Sequence, residues 1–257
     1  MKSRLNKLYA DNRKASVRKF EVVAKADSDD VEIFLYDAIV STEEEAEWWG
    51  GVAPESFVKA VYGVAKDATI NLRINSPGGS VFAARAMEQA LREHKGRVVV
   101  HIDGLAASAA TFIAMAGDEV VMAKGALFMI HKAWTGMWGN SADLRKEADL
   151  LDKIDGTLAE TYAEKTGKDV AQVNDWMAAE TWFTAAEALE QGFATSIAET
   201  EAKAGAWNLS AYANAPAQAA QETPTEPVQP ALAPELSTQE HRDRQQQRIA
   251  MLARLSQ

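Results

Sequence analysis

Three short segments carry side chains suited to acyl-transfer chemistry. In DGLAASAATFIAMAG (103–117) a strand-like run ends at Gly104, and small residues surround Ser108 ahead of an apolar helical stretch. A serine at a helix N-terminus sits near the positive end of the peptide dipoles, and small neighbours leave room for a substrate carbonyl. The same pattern also describes a helix-capping serine or a small residue required by helix packing. In FMIHKAW (128–134), His131 closes an apolar run. A general base working near neutral pH is most simply a histidine. The other three are placed differently: His94 in the polar end of a helix, His101 within VVVHID, and His241 in the tail. The third segment, INSPGGS (74–80), joins a strand to a helix through a Gly-Gly turn. Paired glycines let backbone amides approach an anion, as an oxyanion hole requires. The segment is neither a dinucleotide fingerprint nor a Walker loop, and no G-x-S-x-G elbow surrounds Ser108.

A histidine base needs a polar partner that fixes its tautomer. Downstream candidates are Asp169, Asp175 and Glu180. Glu180 stands beside Trp182 and Phe183 in AAETWFTAAEALEQG, which predicts a partly buried acid and makes it the preferred choice.

Alternating elements position these segments. VEIFLYDAIV (31–40), ATINLRIN (68–75) and GRVVVHIDG (96–104) read as strands. Between them, Phe57, Val58, Val61 and Val64 recur at helical spacing after Pro54, and Val81, Ala84, Met87 and Leu91 do so after the Gly-Gly turn. Strands separated by helices imply right-handed crossovers and a mostly parallel sheet, an α/β fold. Short strands over 119–123 and 126–131 follow. Leu144, Ala148, Leu151, Ile154, Leu158 and Tyr162 then mark a long amphipathic helix ended by Gly167.

The 257 residues suffice for one sizeable domain with extensions. The absence of cysteine excludes disulfides, thiol nucleophiles, thiolate zinc sites and iron–sulfur clusters, and fits a reducing compartment. Residues 1–20 carry seven Lys/Arg against one acid, so the remaining chain is more acidic than the total of −10. An acidic body argues against nucleic-acid binding, and the basic arm reads as a solvated segment. Neither a membrane span nor a secretory signal is visible, so a cytoplasmic protein is expected. Five of the seven prolines fall within 216–234, in a stretch rich in Ala, Gln, Glu and Thr. The expected organisation is a basic arm (1–20), a folded domain (21–199), a linker (200–236) and a short helix (237–257).

Taken in order, INSPGGSVFAA, DGLAASAAT, MIHKAW and ETWFTAAEALEQGF resemble the Clp protease proteolytic subunit family of serine peptidases, most closely its phage and prophage branch of head maturation (prohead) proteases. The resemblance covers about residues 30–198. It implies a crotonase-like fold of repeated ββα units, with the C-terminal extension disordered outside it. It further implies Ser108 as nucleophile, His131 as general base, and the amides of Gly79 and Ala109 as the oxyanion hole. The family's acid, an aspartate, falls on Glu180, with Asp175 in reserve. Neither a cofactor nor a metal is needed. A homo-oligomeric ring, possibly stacked through the helix from Leu144 to Tyr162, is implied, and so is a polypeptide substrate such as a scaffold or capsid protein. No axial loop for an unfoldase is evident in the N-terminal segment, so ATP-independent cleavage within an assembling prohead is the leading expectation. A housekeeping peptidase working with an unfoldase, an inactive scaffold component, and an acyl-CoA enzyme of the crotonase type are the rivals.

Overall fold

The computed structural model describes residues 3–24, 30–202 and 207–216. Its elements follow in order: α1 (Arg4–Asn12), β1 (Lys19–Ala24), β2 (Val31–Tyr36), α2 (Glu43–Trp49), α3 (Pro54–Tyr62), β3 (Ile70–Ser76), α4 (Val81–Glu93) and β4 (Val98–Ala107). Then come α5 (Ala109–Met115), β5 (Glu119–Lys124), β6 (Leu127–Ile130), α6 (Ser141–Thr166), α7 (Val170–Ala178), β7 (Thr181–Thr184), α8 (Ala185–Gln191) and β8 (Ser196–Glu201).

One sheet runs β1-β2-β3-β4-β5-β8, antiparallel at β1/β2 and parallel elsewhere along this path. Its parallel strands are apolar because helices and strands cover both faces. Ile70, Leu72 and Ile74 of β3 and Val98, Val100 and Ile102 of β4 are fully or almost fully buried, with Leu72 in register with Val100. Strand β4 forks. Its first half, Val99–Ile102, pairs with β5, while Leu105–Ala107 pair in parallel with β6, which carries β7 antiparallel on its other edge. The fork delivers the end of β4 and the end of β6 to the same place, and these are the ends that carry Ser108 and His131.

Helix α6 spans 26 residues, longer than the expected Leu144–Tyr162 stretch. An Asn140/Asp143 capping box opens it, and Gly167 closes it at φ 68° in the left-handed region that glycine tolerates. Leu158, Ala159 and Tyr162 enter the core, where the Tyr162 ring stacks on Phe112.

Two expectations about the chain ends are corrected. The basic arm is not a solvated segment: Arg4–Asn12 is helical, and Leu8 and Tyr9 are buried. Nor is the beginning of the supposed linker free. Trp207, Leu209, Ala211 and Tyr212 are buried with Leu8 in a second apolar cluster, against Leu105, Ala107 and Met129 of the forked strands. Burying side chains of this size stabilises by roughly 1.5–3 kcal/mol each, enough to hold a nine-residue helix and a strap that would not fold alone. The expected helix over 237–257 lies outside the described residues.

Candidate active site

Ser108 follows β4 and precedes α5. Its backbone adopts φ 53° and ψ −123°, one of two non-glycine positive φ values among the described residues, the other being Glu180 at 49°. Such a conformation costs on the order of 1–3 kcal/mol and persists only where surroundings enforce it. Here the Ser108 amide donates to Met129 O at 2.8 Å, and Ser108 O accepts from the Thr111 amide and hydroxyl at 2.9 and 2.5 Å. The side chain makes no capping hydrogen bond to α5, so the capping role that the sequence also allowed is not the one adopted. Instead Ser108 Oγ lies 2.7 Å from His131 Nε2.

His131 leaves the end of β6 and is 8% exposed. The residues after it are pinned: Lys132 N donates to Met177 O at 3.2 Å, and Ala133 N donates to Asp155 Oδ1 at 2.8 Å. Aromatic edges enclose the ring. Trp134 approaches at a centroid distance of 4.5 Å and 72°, and Tyr212 at 5.5 Å and 90°. Arg4 of α1 stands over the Trp134 ring at 5.4 Å. Burial, aided by the Arg4 charge, pushes the imidazole down from 6.5 to about 3.

That shift has a sign that can be checked. The unfolded chain takes up this proton near pH 6.5, whereas the folded chain resists until about 3. The folded state therefore binds fewer protons across that window. Stability contributed by the neutral ring is complete above 6.5 and is lost progressively as pH falls toward the folded value. The thermal midpoint of wild type is expected to fall between about pH 7 and about pH 4, and to fall less for His131→Gln. Equal pH slopes for the two proteins would contradict a buried neutral imidazole.

The Gly-Gly turn packs directly on the serine. A Cβ on Gly78 would lie 2.4 Å from Ala107 O and 2.9 Å from Ser108 Cβ, and Gly78 has φ 86°. Gly79, at φ 150°, forms a parallel bridge with Ile39. Ile39 N donates to Gly78 O at 2.9 Å and Ser80 N donates to Ile39 O at 2.8 Å, so that pairing leaves the Gly79 N–H unused. Gly79, Ser108 and His131 line one cavity of about 240 Å³, whose walls are largely apolar and include Phe82, Phe112, Trp134, Leu150 and Ile154. Ala109, the residue after the serine, is fully buried at the start of α5.

Glu180 is buried at 8% exposure, as its aromatic neighbours implied, while Asp169 and Asp175 are exposed. Its carboxylate accepts from Ala213 N at 3.0 Å, Asn214 N at 2.7 Å and, more weakly, Trp182 Nε1 at 3.4 Å. The structure thus brings Ser108 and His131 together and ties Glu180 to the C-terminal strap. Sequence reasoning missed Tyr212, Arg4 and Asp155 as neighbours of the His131 segment. The cluster WNLSAY (207–212) was the available signal for the first, since three large apolar residues within six contradict a linker. Among the described residues no cluster of His, Asp and Glu could hold a metal ion, and no helix is long and apolar enough to cross a membrane.

A strained serine at a strand-to-helix turn, paired with a histidine beside an open cavity, is the arrangement of a serine hydrolase. Comparison with known proteins narrows the class. The Clp protease family profile matches residues 56–201. The ATP-dependent Clp protease proteolytic subunit 1 of Leifsonia xyli is 36% identical over 133 residues, covering 51% of this chain and 68% of that protein. Proteolytic subunit 2 of Rhodococcus jostii is 36% identical over 143 residues, covering 53% and 71%. Among solved structures, a point mutant of ClpP1 from Listeria monocytogenes shares the fold with a TM-score of 0.56 at 22% identity, covering 66% of this chain and 91% of that one. The chain belongs to the Clp protease family of serine peptidases.

Proposed function

We propose that the chain is a serine endopeptidase that hydrolyses polypeptides by acyl transfer. The observation that carries this reading is the 2.7 Å contact between Ser108 Oγ and His131 Nε2 at the mouth of an apolar cavity. In this mechanism His131 takes the hydroxyl proton as Ser108 attacks the peptide carbonyl. The amides of Gly79 and Ala109 hold the oxyanion, His131 returns the proton to the leaving amine, and water then releases the acyl-enzyme. Glu180 supplies the third group, acting through the strap it holds rather than by a hydrogen bond to the ring.

Ring assembly and a polypeptide substrate belong to the same proposal. The relatives above are named as ATP-dependent Clp proteolytic subunits, and this supports a cytoplasmic peptidase that takes chains from an unfoldase. The second reading, ATP-independent maturation of a phage prohead by cleaving scaffold or capsid segments, rests on a different observation. Residues Arg4–Asn12 are docked as a helix beside the site, with Leu5 on the cavity wall.

Covalent capture tests the chemistry. A fluorophosphonate is expected to add once to wild type, on Ser108, as read by intact mass and peptide mapping. No adduct on folded, assembled protein would overturn the reading. A gain in casein degradation on adding an unfoldase with ATP would favour the first cellular role. Cleavage of a co-expressed capsid protein without ATP would favour the second.

A further inference from the structure

Residues 207–214 are fastened at both ends, and the side chain between the fastenings reaches the catalytic pair. At one end Trp207 Nε1 donates to Asn75 Oδ1 at 3.0 Å. Beside it Asn208 exchanges two hydrogen bonds with Asn12 of α1, at 2.7 and 2.9 Å. At the other end the Ala213 and Asn214 amides bind the Glu180 carboxylate, and Asn214 Nδ2 donates to Ala179 O at 2.9 Å. Between these points Tyr212 is buried, its ring perpendicular to His131, and its Oη donates to Pro77 O at 2.5 Å. Pro77 is the residue before the Gly78-Gly79 turn. One side chain therefore touches the base and the segment that forms the proposed anion hole.

We propose that the strap is a built part of the catalytic site and that Tyr212 is its positioning residue, fixing the His131 ring and the Pro77–Gly79 turn relative to each other. The inference rests on the peptidase reading above and adds a residue to it from outside the matched family region, which ends at 201.

The rival view of the strap is a plug that holds the enzyme latent. Geometry decides against it. No strap residue lines the cavity, although the Tyr212 hydroxyl also faces the Ser108 side chain. The Ser108–His131 contact is also already made in its presence. What the strap covers is one edge of the His131 ring, where a perpendicular aromatic side chain restrains rotation and excludes water. Misplacing a catalytic group by about 1 Å costs on the order of a hundredfold in rate, so a restraint there has a measurable role.

Two substitutions separate the contacts. Tyr212→Phe keeps the ring and loses the hydroxyl that binds Pro77 O and faces Ser108. It is expected to lower kcat for a fluorogenic peptide by roughly tenfold, with KM and the acid limb of the rate unchanged. Tyr212→Leu removes both contacts. It is expected to lower kcat by about a hundredfold and to move the acid limb upward toward the ordinary histidine value, because the ring gains water. The charged groups around that space, Arg4, Glu147 and Glu180, are unaltered in both variants. Fluorophosphonate capture on each variant shows that Ser108 remains folded and accessible. Rates and pH profiles equal to wild type in both variants would overturn the proposal. Faster turnover in either would overturn it too, by making the strap a cover. Absence of any adduct on wild type would instead remove the peptidase reading beneath it.

Discussion

Replacing Ser108 by alanine is expected to abolish fluorophosphonate capture and to lower peptide hydrolysis by about 10⁴- to 10⁶-fold, with His131→Ala falling in the same range. The reason lies in the pairing. A serine hydroxyl is a weak nucleophile on its own, and in the proposed mechanism the imidazole 2.7 Å away takes its proton. Remove either and the other has nothing to act on, so the double variant should be no slower than the worse single one. KM should change little, because the proposed mechanism has the apolar walls of the cavity, not the hydroxyl, hold the substrate. Stability should fall by no more than about 1–3 kcal/mol in Ser108→Ala, since alanine inherits the same strained backbone at φ 53° and the side chain makes no capping bond but does bond to His131 Nε2. Capture at wild-type rate in His131→Ala would show that some other group activates the serine. An adduct that persists in Ser108→Ala would place the nucleophile elsewhere.

The interior of the domain was legible because its periodicities are unmixed. The apolar strands VEIFLY, INLRIN and VVVHID and the helix-spaced residues behind Pro54 and Ser80 each obey one repeat, and each became the element it encodes. The ends were not legible, for two physical reasons. In the arm, basic residues set the average and hid Leu5, Leu8 and Tyr9, whose i, i+3, i+4 spacing is the face that α1 turns inward. In the tail, an Ala- and Pro-rich composition masked a short apolar knot, WNLSAY, whose partners Leu8, Leu105, Ala107 and Met129 lie far away along the chain. No local pattern announces contacts of that separation. Glu180 shows both sides of the difficulty. Its burial was readable from Trp182 and Phe183, but the amides that bind its carboxylate belong to Ala213 and Asn214, within the stretch that composition assigned to a linker.

Gly79→Ala is expected to lose most of the activity and several kcal/mol of stability together, and the structure says why one methyl does both. The position has φ 150°, where a side chain is strained whatever the space, and the added Cβ would lie 1.9 Å from the carbonyl oxygen of Ile39. That oxygen is backbone, fixed by its hydrogen bond from Ser80 N, and Ile39 itself is fully buried. The clash cannot be relieved by a rotamer change, so the bridge between Ile39 and the turn must open. Opening it swings the Gly79 amide away from the cavity and frees the start of α4, and Gly78, wedged against Ala107 and Ser108, moves with it. Loss of an oxyanion donor alone costs about 10²- to 10³-fold, so covalent capture on the folded fraction should slow by at least that much. Gly156→Ala is the matched control. Its Cβ meets nothing within 4 Å inside α6, and it is expected to raise stability by roughly 0.5–1 kcal/mol while leaving capture unchanged. Melting temperatures should therefore move in opposite directions in the two variants, and capture should slow only in Gly79→Ala. If Gly79→Ala melted and labelled like wild type, the turn would be too compliant to hold an anion, and the two-amide oxyanion hole would have to be abandoned.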